Sequence, residues 1–174
     1  NGTRGYVYGG RLAMMDSTEN PRFMGFMKMV DARRRLKVRT NADTPEDAAK
    51  ARGFGAEGIG LFRTEHMFYG KNSEQPLFFL RRMIISKDEK ERRAALDELY
   101  PFVKKDFKAT LQEMDGLPVT IRLLDPPLHE FVPNREDERE RLASSLGISL
   151  EELNRRAEAL HESNPMMGHR GVRL

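Results

Sequence analysis

The sequence predicts an α/β protein built on a parallel sheet, and three segments carry that expectation. Leu36, Val38 and Thr40 alternate with Lys37, Arg39 and Asn41, the period of two that marks a strand with one buried face. Gly58-Ile59-Gly60-Leu61-Phe62 is a short uncharged run, as expected of a strand covered on both faces. Val119, Ile121 and Leu123 alternate with Thr120 and Arg122 and form the third. Helical patterns separate them, so the order is β, α, β, α, β. That alternation argues for right-handed crossovers, and it fits a barrel or an open sheet equally well.

Each intervening element has its own signals. Residues 1 to about 33 are rich in Gly and Met, with a short strand predicted within Gly5-Tyr6-Val7-Tyr8-Gly9-Gly10 and a break at Pro21, and read as a connector. Thr44 followed by Pro45, Glu46 and Asp47 supplies an N-cap, a first-turn proline and acidic residues at the positive helix end, predicting a helix to about Arg52. A loop with Gly70 and Pro76 follows the second strand. Ser86 with Glu89 reads as a capping box ahead of Leu96, Leu99, Val103, Phe107, Leu111 and Met114, spaced three or four apart, with Pro101 expected to kink or divide that helix. The third strand ends at Asp125-Pro126-Pro127. Two further helices are predicted, one after an Asn134 cap and one after a Ser149 and Glu152 capping box, with Leu150, Leu153, Ala157 and Leu160 as its apolar stripe.

Composition narrows the function. With 174 residues and 39% hydrophobic content the chain has material for one core. No run approaches the roughly 20 apolar residues of a membrane span, and the start, Asn1-Gly2-Thr3-Arg4, lacks a secretion signal's apolar core, so a cytoplasmic location is expected. The absence of cysteine excludes disulfides and thiolate metal sites. An initial Asn in place of Met suggests a segment of a longer chain. The net charge of +3 is spread over runs of alternating sign, such as Lys87-Asp88-Glu89-Lys90-Glu91-Arg92-Arg93, with few aromatics among the basic residues. That pattern describes solvated helix faces and argues against nucleic acid.

Gly53-Phe54-Gly55-Ala56-Glu57-Gly58 matches a dinucleotide fingerprint as a string. It follows a helix and precedes a strand, the reverse of the context that points pyrophosphate at a helix N-terminus, so these glycines are read as turn and packing residues. His66, His129, His161 and His169 show no zinc spacing, and no metal site is expected. His66 and His129 do lie in the loops after strands two and three, where parallel α/β folds place function. Arg63 directly follows the second strand and Arg122 lies near the end of the third. A guanidinium there needs a partner. Two readings stay open at this point: Arg122 paired to Asp125 or Glu130 as a structural ion pair, or Arg63 and Arg122 gripping an anionic ligand.

Four long runs bring in a resemblance. Leu36-Lys37-Val38-Arg39-Thr40-Asn41-Ala42-Asp43, Gly58-Ile59-Gly60-Leu61-Phe62-Arg63-Thr64-Glu65-His66-Met67-Phe68, Arg122-Leu123-Leu124-Asp125-Pro126-Pro127-Leu128-His129-Glu130-Phe131 and Asn164-Pro165-Met166-Met167-Gly168-His169-Arg170-Gly171 resemble, in order, the pyruvate phosphate dikinase family of phosphoenolpyruvate (PEP)-utilising enzymes. PEP synthase and enzyme I of the sugar phosphotransferase system share the second run. His66-Met67-Phe68 together with Asp125 to Phe131 looks specifically like the dikinase.

The resemblance implies an incomplete parallel (β/α)8 TIM-type barrel, about its first three strands with the intervening helices. It implies residues 1–33 as the linker from a swivelling phosphohistidine domain and 34–174 as the N-terminal part of the PEP/pyruvate-binding barrel. Arg63, Arg122 and Arg170 match the family's PEP-binding arginines, with Asp125, Glu130 and His66 supporting. The implied reaction passes a phosphoryl group between PEP and AMP plus pyrophosphate through a phosphohistidine, giving ATP, phosphate and pyruvate. No catalytic residue is expected within the chain: the carrier histidine, the Mg2+ ligands and the enolate-protonating cysteine belong to other parts of a homo-oligomeric parent. The chain alone is therefore expected to be inactive, with no membrane or nucleic-acid partner.

Overall fold

A computed structural model describes residues 4, 5, 9–70, 73–125, 127–161, 164, 166 and 167. The chain divides into two units, residues 1–37 and 38–174.

In the first unit, Pro21 begins a helix where the sequence suggested a break. Helix α1 runs Pro21–Asp31, and the side chain of Asn20 accepts from the backbone N–H groups of Arg22 and Phe23 at 3.0 and 3.3 Å. Proline suits that first position because its missing N–H would have no helical partner anyway. Among the described residues of this unit none is buried, and Phe23, Met24, Phe26 and Met29 are exposed. The strand expected around Tyr6–Tyr8 lies outside the described residues.

The second unit holds a three-stranded parallel sheet, β1 (Thr40–Asn41), β2 (Ile59–Arg63) and β3 (Val119–Arg122), in the order β1-β2-β3. Strand β1 is shorter than its alternation suggested. Leu36 and Val38 are 83% and 56% exposed among the described residues, so the apolar half of the pattern is not buried. Helix α2 (Pro45–Gly53) has the expected Thr44 cap, whose hydroxyl accepts from the Asp47 N–H at 3.1 Å. The glycines after it behave as turn and packing residues. Gly55 has φ +88°, and Gly58 (φ +149°) approaches the third strand so closely that a Cβ would fall 2.6 Å from the Pro118 carbonyl oxygen.

Between β2 and β3 stands a helix the sequence reading passed over. Helix α3 (Glu74–Ile85) begins where Pro76 suggested a loop. The first N–H it needs is that of Leu77, which bonds the Ser73 carbonyl at 2.9 Å, so Pro76 occupies a first-turn position where no donor is required. Helix α4 then runs unbroken over 25 residues, Glu89–Glu113, with Pro101 inside it. Its cap is Asp88, accepting from the Glu91 N–H at 2.9 Å, while the Ser86 hydroxyl donates to the Arg82 carbonyl at 2.7 Å. Tertiary packing outweighs the hydrogen bond lost at Pro101: Leu99 is buried, and Phe102, Val103 and Phe107 pack on the cores to either side. Helix α5 (Glu136–Leu146) has Arg135, not Asn134, at its N-cap position and ends at left-handed Gly147. Helix α6 (Leu150–Ala159) has the expected Ser149 cap, accepting from the Glu152 N–H at 3.1 Å.

Two apolar clusters result. One joins the sheet to α2 and α4 through Ala42, Ala48, Ile59, Phe62 and Met114, with the Phe62 ring edge-on to Phe107 at 5.5 Å. The larger joins α3, α4, α5 and α6 around Leu80, Ile84, Leu99, Leu142 and Leu153. Its apolar surface is what allows α3 to be hydrophobic over most of its circumference.

Candidate functional site

Parallel strands in register deliver their last residues to one edge. Arg63 and Arg122, the final residues of β2 and β3, are register partners, so the two guanidinium groups leave the sheet side by side. Asp43, just past β1, brings a carboxylate to the same edge. A short helical turn, Thr64–Phe68, carries Glu65 and His66 on from β2, and a second, Leu128–Phe131, follows β3 with His129 and Glu130. Aromatic contacts pin the two turns together: Phe131 lies stacked against Tyr69 at 5.8 Å and edge-on to Phe68 at 6.3 Å.

Asp43 is the hub of the first pair. It accepts from the Arg63 backbone N–H at 2.8 Å, from Nε at 3.0 Å and from Nη2 at 2.5 Å, and His66 Nδ1 lies 3.1 Å from the same carboxylate. Burial alone would raise the Asp43 pKa, but the hydrogen bonds from Arg63 and the charges of His66 and Arg63 outweigh it and hold the carboxyl below its ordinary 3.8. Asp43 in turn raises the Arg63 guanidinium further. A depressed carboxyl contributes stability that is full above the unfolded pKa and is lost as pH falls through the folded value. In an NMR pH titration the Asp43 midpoint is expected below 3.8 and should rise in Arg63→Ala; an unmoved midpoint would contradict this pairing.

Arg122 is paired with Glu65, a partner the sequence did not suggest. Glu65 is only 6% exposed. Around it several buried polar atoms have no hydrogen-bond partner among the described residues: Thr64 Oγ1, Glu65 Oε2 and Arg122 Nε, with His129 Nδ1 in the following turn. Unsatisfied buried groups are costly; Arg82 Nε, Arg92 Nε and Thr110 Oγ1, in the helices α3 and α4, are in the same position.

The other expected residues are placed as follows. His66 joins the site through Asp43 and is exposed. Asp125 is half-buried in the loop after β3. Glu130 is exposed and makes no ion pair with Arg63 or Arg122; it acts on the Tyr69 hydroxyl, whose pKa burial raises, with Glu130 adding to the rise and Arg81 opposing it. Arg170 and His169 lie outside the described residues. His161 meets His129 ring to ring at 5.4 Å. Missed by the sequence reading were Asp43 and Glu65 as partners of the arginines. The available signal was an acidic residue just past each of two neighbouring strand ends.

No three His, Asp or Glu side chains among the described residues converge as a metal site. No helix among the described residues is long and apolar enough to cross a membrane.

The fold and site define a parallel α/β domain that gathers two register-paired arginines, each held by a carboxylate, at the carboxyl edge of its sheet. The chain belongs to the family described as PEP-utilising enzyme, PEP-binding domain, which matches residues 18–174. Among similar proteins, a pyruvate, phosphate dikinase of Clostridium symbiosum is 48% identical over 174 residues, covering all of this chain and 20% of that protein. One of Rhizobium meliloti (strain 1021) is 50% identical over 174 residues, covering all of this chain and 19% of that protein. The chloroplastic pyruvate, phosphate dikinase 1 of Arabidopsis thaliana is 48% identical over 176 residues, covering all of this chain and 18% of that protein. The chain thus spans about a fifth of the length of these relatives.

Proposed function

We propose that this chain is the opening part of the PEP-binding barrel of a pyruvate phosphate dikinase. In this reading residues 34–174 supply its first three strands, and residues 1–33 lead in from a swivelling phosphohistidine domain. The observation that carries it is the register pairing of Arg63 with Arg122 at the carboxyl edge of the sheet, each beside a carboxylate. PEP presents a phosphate and a carboxylate on a small frame, and two adjacent guanidinium groups match that distribution of charge. Arg170 is assigned to the same anion on the family motif.

The proposed reaction takes the phosphoryl group of PEP to the carrier histidine and onward to AMP and pyrophosphate, giving ATP, phosphate and pyruvate, and runs reversibly. Phosphoryl transfer is governed by positioning and by stabilisation of charge on the transferring oxygens, which fixed guanidinium donors provide. Arg63 and Arg122 hold the substrate and take up that charge. The proposed parent's Mg2+ is assigned to residues elsewhere in that parent, and no step here depends on it. A cysteine-free chain suits a reducing compartment such as the cytoplasm.

The test is PEP consumption by the full-length parent with Mg2+, with and without AMP plus pyrophosphate. ATP and pyruvate formed only when both acceptors are present is the expected result. Consumption independent of them, with transfer to a carrier protein or to water, moves the assignment to enzyme I or PEP synthase. The 174-residue chain alone is expected to release no pyruvate from PEP; any release above the buffer control overturns that part of the reading.

A further inference from the structure

The two ion pairs of the site follow one rule. Asp43, at the end of β1, holds Arg63 at the end of β2; Glu65, just past β2, holds Arg122 at the end of β3. Each carboxylate reaches one strand forward to the next guanidinium. We propose that Asp43 and Glu65 are positioning residues, fixing Arg63 and Arg122 from below so that the pair meets the substrate in a preset orientation. The inference rests on the reading of those arginines as the PEP-binding pair.

Three features separate this from ordinary structural ion pairs. The burial is unequal: the acid side chains are 11% and 8% exposed, the arginine side chains 34% and 40%. The carboxylates are seated in the protein, while the arginine side chains stay partly exposed, as a presenting arrangement requires. Asp43 also grips the backbone N–H of Arg63 together with its Nε and Nη2, which locks the side chain to its own strand end and leaves Nη1 as the nitrogen with no hydrogen bond to a described residue. Finally, the Glu65–Arg122 pair leaves Glu65 Oε2 and Arg122 Nε buried and unsatisfied. Two atoms of the pair thus stay open to a further partner, and each open buried group costs about 1–3 kcal/mol. Preset orientation has a catalytic return: misplacing a substrate-holding group by about 1 Å can cost on the order of a hundredfold in rate.

The experiment is steady-state kinetics of the full-length parent with PEP, comparing Asp43→Asn and Glu65→Gln with Arg63→Ala and Arg122→Ala and with the double variants. Asp43→Asn and Glu65→Gln are expected to lower kcat/KM for PEP by about tenfold to a hundredfold. Their melting temperatures should stay within a few degrees of the parent's. In the Arg63→Ala background Asp43→Asn should have no further effect, and likewise Glu65→Gln in Arg122→Ala, since a positioning residue acts only through the group it positions. Should Asp43→Asn not fold, Asp43→Ser takes its place, keeping an acceptor for the Arg63 N–H without the charge. Full additivity in the double variants, or wild-type kinetics in both acid variants, overturns the positioning role while an impaired Arg63→Ala leaves the substrate assignment standing. Wild-type PEP kinetics in both arginine variants removes the substrate reading and this inference together.

Discussion

Replacing Arg63 by alanine in the full-length parent is expected to lower kcat/KM for PEP by at least about a hundredfold, the scale seen when one fixed donor to a developing charge is removed. The expectation follows from where the side chain stands. Arg63 ends β2 beside its register partner Arg122, and its backbone and side chain are both tied to Asp43. A planar, always charged group held this way contributes little orientational freedom to be lost on binding, so its bonds to a phosphate count nearly in full. Truncation also leaves Asp43 without its guanidinium, so a negative charge near the substrate is no longer compensated and adds to the loss. Arg63→Lys should recover only part of the activity, because an ammonium cannot reproduce the fork that engages carboxylate and substrate together. Equal kcat/KM for wild type and Arg63→Ala, with both proteins folded, would remove Arg63 from the site.

The second large effect is structural. Gly58→Ala is expected to destabilise the domain by about 2–4 kcal/mol, combining a backbone conformation unfavourable for an L side chain with steric overlap. The added Cβ would lie 2.6 Å from the Pro118 carbonyl oxygen and 2.9 Å from its Cγ. That carbonyl is not free to retreat, since it accepts from the Ile59 N–H at 2.9 Å, and the Gly58 carbonyl itself accepts from Thr40 at 3.0 Å. One residue therefore sits at the junction of all three strands, and displacing it disturbs both ladders. For a domain of this size the change corresponds to a fall of roughly 5–15 °C in Tm. Gly55→Ala is the matched control: its φ is +88°, but nothing lies within 4 Å of the added Cβ. It should cost only the conformational part, about 1 kcal/mol. If the two variants melt together, close approach to Pro118 is not what Gly58 provides.

The sequence by itself determined the alternation of strand and helix, the caps at Thr44 and Ser149, the turn glycines and the two arginines, because each of these is written in neighbouring residues: a period, a cap beside a proline, a charge at the end of an apolar run. Its misreadings at Pro21 and Pro76, and the division it allowed at Pro101, share one cause. Proline marks a break only where its N–H would be needed or its ring resisted, and that depends on its place in the turn and on the packing around it. Pro21 and Pro76 stand in first turns, while at Pro101 the buried Leu99 and its neighbours hold the helix together. The tertiary structure alone decided the partners of the arginines. Asp43 lies 20 residues before Arg63 and Glu65 lies a whole α3–α4 excursion before Arg122. No local pattern links them; only the parallel register, which brings the strand ends to one edge, sets each buried carboxylate against the guanidinium of the next strand.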